Sequence, residues 1–264
     1  MRILAIETSA GAASAAITEE GRILASGYQD TGLTHSRTLM PLVEGLFRNA
    51  DIAPASLDAI AVSVGPGSFT GIRIGVAAAK GLALGLDIPC AAVSTLAALA
   101  RHAAPCGGLL VCAMDARRGQ VYNALFDAGN GGAERGERGT RLEYGTPPAQ
   151  DEAPRRLTED RAIALSDLAA ELRPIAGDGA KPRPITIAGD GAELCRAFLQ
   201  EQGVSCRIAP PQLVRQNAIG VALEAERIAA EGKLVHPRDL RPFYLRPPYA
   251  LTLQQRQAGM RESG

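Results

Sequence analysis

Three acidic residues stand where an apolar run ends and a short polar turn begins: Glu7, Asp115 and Asp190. In phosphotransferases, carboxylates at such strand ends hold magnesium or orient an attacking hydroxyl. A carboxylate in the same position can also do no more than cap a turn or a helix. Residue type and spacing leave both interpretations open.

The segment Gly65-Pro-Gly-Ser-Phe-Thr-Gly71 is the strongest candidate for a phosphate loop. Glycines between a strand and a helix can present backbone N–H groups to an anion, and the helix dipole adds to the attraction. A Walker loop, however, ends in Gly-Lys-Ser/Thr, and a dinucleotide fingerprint needs its third glycine where this chain has Thr70. The spacing therefore favours a structural turn at Gly65 and Gly67, with Ser68 or Thr70 capping the next helix.

The histidines and cysteines show no metal-binding pattern. His35, His102 and His236 include no pair at positions i and i+4, so no helix carries a two-histidine metal site. The five cysteines show no CxxC spacing, which makes a structural zinc site unfavourable. The pattern predicts no metal site, disfavours a metallopeptidase, and is typical of thiols kept reduced in the cytoplasm.

The composition argues against independent binding of RNA. Lys and Arg number 28, Asp and Glu number 28, Trp is absent, and aromatic residues make up 4% of the 264 residues. A protein that binds RNA by itself usually carries a basic excess or an aromatic stacking platform. Direct binding is therefore disfavoured, and local contacts by the arginines near Arg155 and Arg238 are left open.

No segment has the pattern of a signal peptide or a membrane span. The apolar run at the amino terminus is short and is interrupted by Glu7. The apolar stretch from Ile72 to Ala100 contains Arg73, Lys80, an aspartate and a proline, which are unfavourable inside a bilayer. We therefore expect a cytoplasmic protein with no membrane contact.

Apolar periodicity and turn signals predict two similar halves. The first half is predicted to contain strands at residues 3–6, 12–18, 22–28, 57–64 and 88–94, and helices at residues 34–49, 70–85 and 95–102. An apolar run, an acidic residue and a polar turn recur at residues 109–126, which indicates an internal duplication. A strand at 185–188 and helices ending near Gln200 and Glu231 follow. Hairpins combined with crossover helices predict mixed sheets.

The predicted helix over residues 70–85 contains several glycines. Each interior glycine costs about 1 kcal/mol relative to alanine, so Gly71, Gly75 and Gly81 call for a compensating close approach of another backbone. The same helix carries an apolar stripe of Ile72, Val76, Ala79 and Leu82. The approach is either to the chain's own core or to another chain, and periodicity does not distinguish the two.

Five segments resemble TsaB-type proteins of the actin/hexokinase/Hsp70-like superfamily, and they occur in the same order. They are Ile3-Leu-Ala-Ile-Glu-Thr-Ser9, Leu33-Thr-His-Ser36, Gly65-Pro-Gly-Ser-Phe-Thr-Gly-Ile-Arg-Ile-Gly75, Met114-Asp-Ala-Arg-Arg-Gly-Gln-Val-Tyr122 and Pro242-Phe-Tyr-Leu-Arg246. The resemblance is dense over residues 1–125 and thin over residues 128–210, whose layout the sequence leaves open. Its most specific part is Gly65–Gly75.

The resemblance implies an α/β fold of the actin-like ATPase (ribonuclease H-like) type, with two related βββαβα domains that contain mixed sheets. Residues 1–105 would form the domain with the dimerisation helices, residues 106–250 a degenerate second domain, and residues 251–264 a disordered tail. Vestigial nucleotide loops would lie at Glu7, Thr8, Ser9, Asp115, Gly189, Asp190 and Gly191. Glu7 stands where the superfamily more often has aspartate, which weakens the case for magnesium chemistry.

The resemblance also implies a non-catalytic activating subunit. Such a subunit binds a TsaD-type catalytic paralogue, which carries a His-x-x-x-His motif that this chain lacks. With a TsaE-type ATPase, that complex transfers threonylcarbamoyl to N6 of adenosine 37 of tRNA. ATP and magnesium would be bound by the partners, tRNA would be bound indirectly, and this chain would hold no catalytic residue, cofactor or metal.

The implied partner surface lies on two helices, and the same surface would form a homodimer. It comprises His35, Leu39, Leu42, Val43, Leu46, Gly71, Ile72, Gly75, Val76, Ala79 and Leu82. On this interpretation, Gly75→Leu should block pairing. Two further alternatives are a self-sufficient small-molecule kinase or ATPase that uses Glu7 and Asp115, and a homodimeric scaffold unrelated to tRNA.

Overall fold

Two β-sheets with helices on their faces make up the part of the chain that the computed structural model describes, residues 1–129, 153–176 and 184–246. The elements of the first half are β1 (Arg2–Glu7), β2 (Ala13–Glu19), β3 (Arg22–Gln29), α1 (His35–Ala50), β4 (Ala59–Gly65), α2 (Phe69–Leu86), β5 (Cys90–Ser94) and α3 (Thr95–Ala103). The strand order is β3-β2-β1-β4-β5. β1 pairs antiparallel with β2 and parallel with β4, so the sheet is mixed, as predicted.

The second half repeats this arrangement. Its elements are β6 (Leu109–Asp115), β7 (Gln120–Asp127), β8 (Arg155–Arg156), β9 (Arg161–Ala164), α4 (Leu165–Ala176), β10 (Ile185–Ala188), α5 (Ala192–Glu201), β11 (Arg207–Ile208), α6 (Pro211–Val214) and α7 (Ala218–Ala230). β6 pairs antiparallel with β7 and parallel with β10. The order β11-β10-β6-β7-β8, with β9 also on β7, reproduces that of the first sheet. The predicted pair of related α/β units is confirmed, and the second is degenerate because its outer strands β8 and β11 have two residues each.

Helices cover both faces of the first sheet. Leu4 and Ile60 belong to a core shared with α1 and α2, whereas Ile3 and Ala61 belong to a second core shared with α7. Strands that are buried on both faces carry apolar residues at successive positions. This explains why β1 and β4 are continuous apolar runs in the sequence.

Helices α3 and α7 pack closely against each other. A Cβ atom placed on Gly220 would lie 2.1 Å from the carbonyl oxygen of Ala98, so only glycine allows this approach. Arg101 and Glu224 form an ion pair of 2.9 Å at the same contact, with side chains only 13% and 8% exposed. Because α7 follows the second sheet in sequence and packs on the first, it joins the two halves. The division after residue 105 stays a prediction.

Among the described residues, α2 is the one helix that is long and apolar enough to cross a membrane by length and composition alone. Its contacts are those of a core helix, since Ile72, Ala79 and Ala83 are fully buried in the core beneath the first sheet.

Several elements, among them β9 and α4, have no counterpart in the sequence-based prediction. β9 and α4 lie in the region whose layout was left open, and α4 contributes Leu168 and Leu172 to a separate core in the second half of the chain. The predicted tail at residues 251–264 and most of the Gly- and Pro-rich segment 128–160 lie outside the described residues.

Candidate functional site

The turn after β1 encloses the carboxylate of Glu7, a residue that is only 1% exposed. One oxygen accepts a hydrogen bond from the backbone N–H of Ser9, and the other accepts one from Ser63 Oγ. Burial raises the pKa of Glu7 above its usual value, and the hydrogen bonds from Ser63 and Ser9 act in the opposite direction. Both oxygens of this carboxylate are therefore bonded within the chain.

Helix α2 packs its glycines directly against this turn. A Cβ atom on Gly71 would lie 2.1 Å from the carbonyl oxygen of Thr8, and one on Gly75 would lie 2.3 Å from Thr8 Oγ1. Thr8 Oγ1 in turn donates a hydrogen bond of 2.8 Å to the carbonyl oxygen of Gly71. The close approach that these glycines allow is to the chain's own turn. This corrects the assignment of Gly71 and Gly75 to a partner surface.

Most other residues predicted for that surface are also inside the chain's own core. Those between 0% and 7% exposed are Leu39, Val43, Leu46, Ile72, Val76 and Ala79. His35, Leu42 and Leu82 are partly exposed, and His35 Nε2 lies 2.8 Å from the carbonyl oxygen of Ala10. The apolar periodicity therefore identified the buried face of each helix, and any partner surface on α1 and α2 must use the outward face.

The glycine-rich segment forms a structural turn. Gly65 and Gly67 have φ angles of 129° and 154°, and a Cβ atom on Gly67 would lie 2.5 Å from the carbonyl oxygen of Ser9. Ser68 donates its backbone N–H to that same oxygen over 2.7 Å, and its hydroxyl accepts from the backbone N–H of Gly71 over 3.3 Å. The predicted capping of α2 by Ser68 is confirmed. The N–H of Ser68 points into the chain rather than towards a phosphate.

The turn after β6 holds Asp115 in a more open environment. The Asp115 carboxylate accepts a hydrogen bond of 2.7 Å from the backbone N–H of Arg117 and lies 3.2 Å from the guanidinium of that residue. Arg117 and Arg118 adopt left-handed backbone conformations, with φ angles of 66° and 55°. The carboxylate is thus bonded mainly to its own turn.

The turn after β10 brings Asp190 towards the other two carboxylates. Burial raises the pKa of Asp190, whereas the hydrogen bond of 2.7 Å from Gln216 Nε2 lowers it. The negative charge of Asp115 also raises the pKa of Asp190, and that of Asp190 raises the pKa of Glu7. The three acidic turns therefore lie near enough to one another for their charges to interact.

Glycines bring the third turn against the end of β6. A Cβ atom on Gly189 would lie 1.9 Å from the carbonyl oxygen of Ala113, and one on Gly191 would lie 3.0 Å from the backbone nitrogen of Asp115. The turns at residues 7–9, 115–119 and 189–191 thus lie close together, in a region that we name the cleft, which is where the resemblance places the nucleotide loops.

The cleft is polar, but its acidic groups have partners. In residues 1–129, 153–176 and 184–246, no three His, Cys, Asp or Glu side chains are arranged so that they could hold a metal ion. Six buried side-chain polar atoms have no hydrogen-bond partner within the same ranges, and two of them, Ser9 Oγ and Gln216 Oε1, belong to residues of the cleft. Within the described residues, the carboxylates of Glu7, Asp115 and Asp190 each accept at least one hydrogen bond from the chain itself, and the role of these turns as vestigial nucleotide loops stays a prediction.

The sequence reasoning missed two residues of this cleft, Ser63 and Gln216. Ser63 is a single hydroxyl residue inside the apolar strand β4, and this interruption was the signal that could have identified it. Gln216 lies between α6 and α7 with no distinctive pattern around it. Only the fold brings it to Asp190.

Two sheets of equal strand order, with three polar turns facing a shared cleft, define an actin-like ATPase fold. A solved structure described as YeaZ from Pseudomonas aeruginosa superposes with a TM-score of 0.71 at 27% identity, and it covers 92% of this chain and 99% of that chain. A family model described as "TsaD: tRNA N6-adenosine threonylcarbamoyltransferase" matches residues 29–205. The chain belongs to this family.

The curated relatives share a more specific name, "tRNA threonylcarbamoyladenosine biosynthesis protein TsaB". The protein of that name from Bacillus subtilis is 45% identical over 131 residues, which are 50% of this chain and 57% of the relative. The one from Escherichia coli is 37% identical over 139 residues, which are 52% of this chain and 60% of the relative. The chain thus matches little more than half the length of these relatives. The resemblance to TsaB-type proteins is confirmed.

Proposed function

We propose that this chain is a non-catalytic activating subunit for the transfer of threonylcarbamoyl to N6 of adenosine 37 of tRNA. The names of the curated relatives support the pathway. The observation that carries the non-catalytic role is the bonding of Glu7. Its two oxygens accept hydrogen bonds from Ser9 and Ser63, and the residue is only 1% exposed, so a cation would have to enter a buried site and compete with these bonds.

The partners in this proposal are a TsaD-type catalytic subunit and a TsaE-type ATPase, which would bind ATP and magnesium in the cytoplasm. The alternative of a self-sufficient kinase or ATPase requires Glu7 and Asp115 to act together on a nucleotide. Asp115 pairs with Arg117, and Glu7 is enclosed. This arrangement favours the activating subunit over the kinase.

The test is a threonylcarbamoylation assay reconstituted from the catalytic subunit and the ATPase, with and without this chain. We expect modified tRNA only when the chain is present, and negligible ATP turnover by the chain alone. Calorimetry with Mg-ATP measures whether the isolated chain binds the nucleotide, as the kinase alternative requires. Tight binding there, together with modification that does not depend on the chain, would show that the kinase alternative is correct.

We assign the partner surface to the outward faces of α1 and α2. Met40 and Leu84 are 42% and 47% exposed there. A cavity of about 220 Å³ lies beside Met40, lined by side chains that are apolar except for Glu44: Leu4, Met40, Val43, Phe47, Pro54, Leu57, Ile60, Leu82 and Leu86. Large apolar side chains grouped at the surface are typical of protein interfaces. A homodimer would use the same face.

A matched pair of variants tests this surface. Leu84→Asp places a charge on α2, and Leu194→Asp places one on α5, where Leu194 is 41% exposed. We expect Leu84→Asp to weaken co-purification with the catalytic subunit by roughly tenfold or more, because a buried unpaired charge is costly, while Leu194→Asp pairs normally. If both variants co-purified equally well with the catalytic subunit, the assignment of the partner surface to α1 and α2 would be wrong. Gly75→Leu does not test it, since the new side chain would meet Thr8.

A further inference from the structure

Residues Pro237–Arg246, which we name the strap, run from helix α2 to the turn after β6. Lys80 Nζ of α2 donates a hydrogen bond of 3.0 Å to the carbonyl oxygen of Arg238. At the other end, Arg246 donates one of 3.0 Å to the carbonyl oxygen of Ala116. The strap is therefore fixed to both halves of the chain, and its side chains occupy defined positions at the surface.

Several basic residues on this surface form no ion pair with the residues that the structure describes. Five of them have no carboxylate partner among the residues that the structure describes: Arg73, Lys80, Arg238, Arg241 and Arg246. Arg227 on α7, in contrast, pairs with both Glu224 and Glu231. Asp239 lies within the strap, but no ion pair joins it to the five. A chain of zero net charge thus concentrates uncompensated positive charge on one surface.

Aromatic side chains hold one of these arginines in place. The Arg73 guanidinium carbon lies 4.0 Å from the centre of the Phe69 ring, and Arg73 Nε donates a hydrogen bond of 3.1 Å to Tyr244 Oη. The two rings are 5.1 Å apart, and Phe243 beside them is 46% exposed. A stacked guanidinium keeps its terminal N–H groups in a fixed fork that matches a phosphate. An exposed ring offers a base a surface to stack on.

We propose that this surface, formed by the strap and the adjoining face of α2, contacts the phosphate backbone of RNA. Arg73 and Lys80 are seven residues apart, so they lie about 10 Å apart along the helix, and the strap extends the basic groups further. A spread of this length suits a polyanion better than a single phosphate group. The proposal rests on the proposed function for the identity of the RNA, which would be the substrate tRNA. It also revises the expectation from net charge that binding would be only indirect.

The test compares two double variants that remove the same charge. Arg238→Gln/Arg241→Gln changes the strap, and Arg22→Gln/Arg173→Gln changes two other exposed arginines that have no carboxylate partner in the described ranges. Filter binding of the full chain to an unmodified tRNA transcript is measured from about 50 to about 200 mM salt. We expect the strap variant to bind roughly tenfold more weakly and to lower the salt slope by about 2. The control should match the wild type.

A charge-retaining variant and a measurement of pairing with the catalytic subunit separate RNA binding from a structural role or a protein-binding role of the strap. Arg238→Lys/Arg241→Lys retains the charge and should restore most of the affinity, which a purely structural role of these side chains would not predict. Absence of tRNA binding by the wild type, or equal loss in both glutamine variants, would overturn the proposal. So would a strap variant that binds tRNA normally and fails to pair with the catalytic subunit, because the surface would then bind protein.

The reconstituted modification assay separates this proposal from the proposed function. If the chain does not stimulate modification, the proposed function fails whether or not the strap binds RNA. If the wild type and the strap variant stimulate equally at limiting tRNA, the function stands and the RNA surface is wrong. We expect stimulation by the wild type and a higher tRNA requirement with the strap variant.

Discussion

The turns after β1 and β6 occupy equivalent places in the two halves of the chain, yet they hold their carboxylates differently. Glu7 is 1% exposed and is enclosed by β4 and by the glycine face of α2. The Asp115 side chain is 31% exposed and pairs with an arginine that is 86% exposed. The helix equivalent to α2 in the second half is α5, which contains no glycine. Whether such a turn is enclosed or open therefore depends on how closely its helix can approach.

This difference bears on how a subunit without its own chemistry could act. A partner can be shifted towards an active conformation only if that conformation binds more tightly, which requires a binding surface of defined shape. In the first half, the contacts of Thr8 with Gly71 and Gly75 fix α2 relative to the sheet. The outward face of α2 is then held in position. The enclosed turn is thus best understood as a structural anchor for the proposed interface.

The largest expected effect comes from filling the contact between α2 and the enclosed turn. Gly71→Ala would place a Cβ atom 2.1 Å from the carbonyl oxygen of Thr8. Because the obstructing atom belongs to the backbone, the helix must move, and we expect a loss of about 3 kcal/mol in the free energy of unfolding. Urea denaturation followed by circular dichroism measures it.

Gly81→Ala is the matched control on the same helix. A Cβ atom there would meet nothing within 4 Å, so this variant should gain up to about 1 kcal/mol from helix propensity. If Gly71→Ala were as stable as Gly81→Ala, the enclosed turn would not be the anchor described here.

The sequence predicted the first half well because its signals are local. Apolar runs end at glycine or polar turns, so the strands and helices of residues 1–103 could be placed directly from the pattern. Periodicity shows that one face of a helix is buried, but it does not show what covers that face. For this reason Gly71 and Gly75 were assigned to a partner when they contact Thr8. The positive charge around the strap could not be predicted either, because it depends on which arginines the fold brings together.

A second, smaller effect is the pH dependence of stability that the enclosed carboxylate of Glu7 should cause. Burial raises the folded-state pKa of Glu7 above its ordinary value of 4.5, so the folded chain holds this proton more tightly than the unfolded chain. The stabilisation from this proton is fully present below about pH 4.5 and is lost as the pH rises through the folded-state pKa. Glu7→Gln removes the titration.

The free energy of unfolding of Glu7→Gln relative to the wild type should therefore increase across that window, by at most about 1.4 kcal/mol per pH unit, and then level off. Urea denaturation at a series of pH values gives the difference curve. A flat curve across this range would show that Glu7 ionises in the folded chain as easily as in water, and a falling curve would show that it ionises more easily. Either result would contradict the prediction.

The smallest effect is expected at the open turn. Asp115→Asn keeps an acceptor for the backbone N–H of Arg117 and removes only the ion pair with an exposed guanidinium. Exposed ion pairs contribute roughly 0–1 kcal/mol, so we expect a change in unfolding free energy of about 0.5 kcal/mol or less. The loss should also decrease with added salt, because an exposed pair is screened. If Asp115→Asn lost as much unfolding free energy as Gly71→Ala, the two turns would contribute similarly to stability. The two halves would then differ in their helices rather than in how their carboxylates are held.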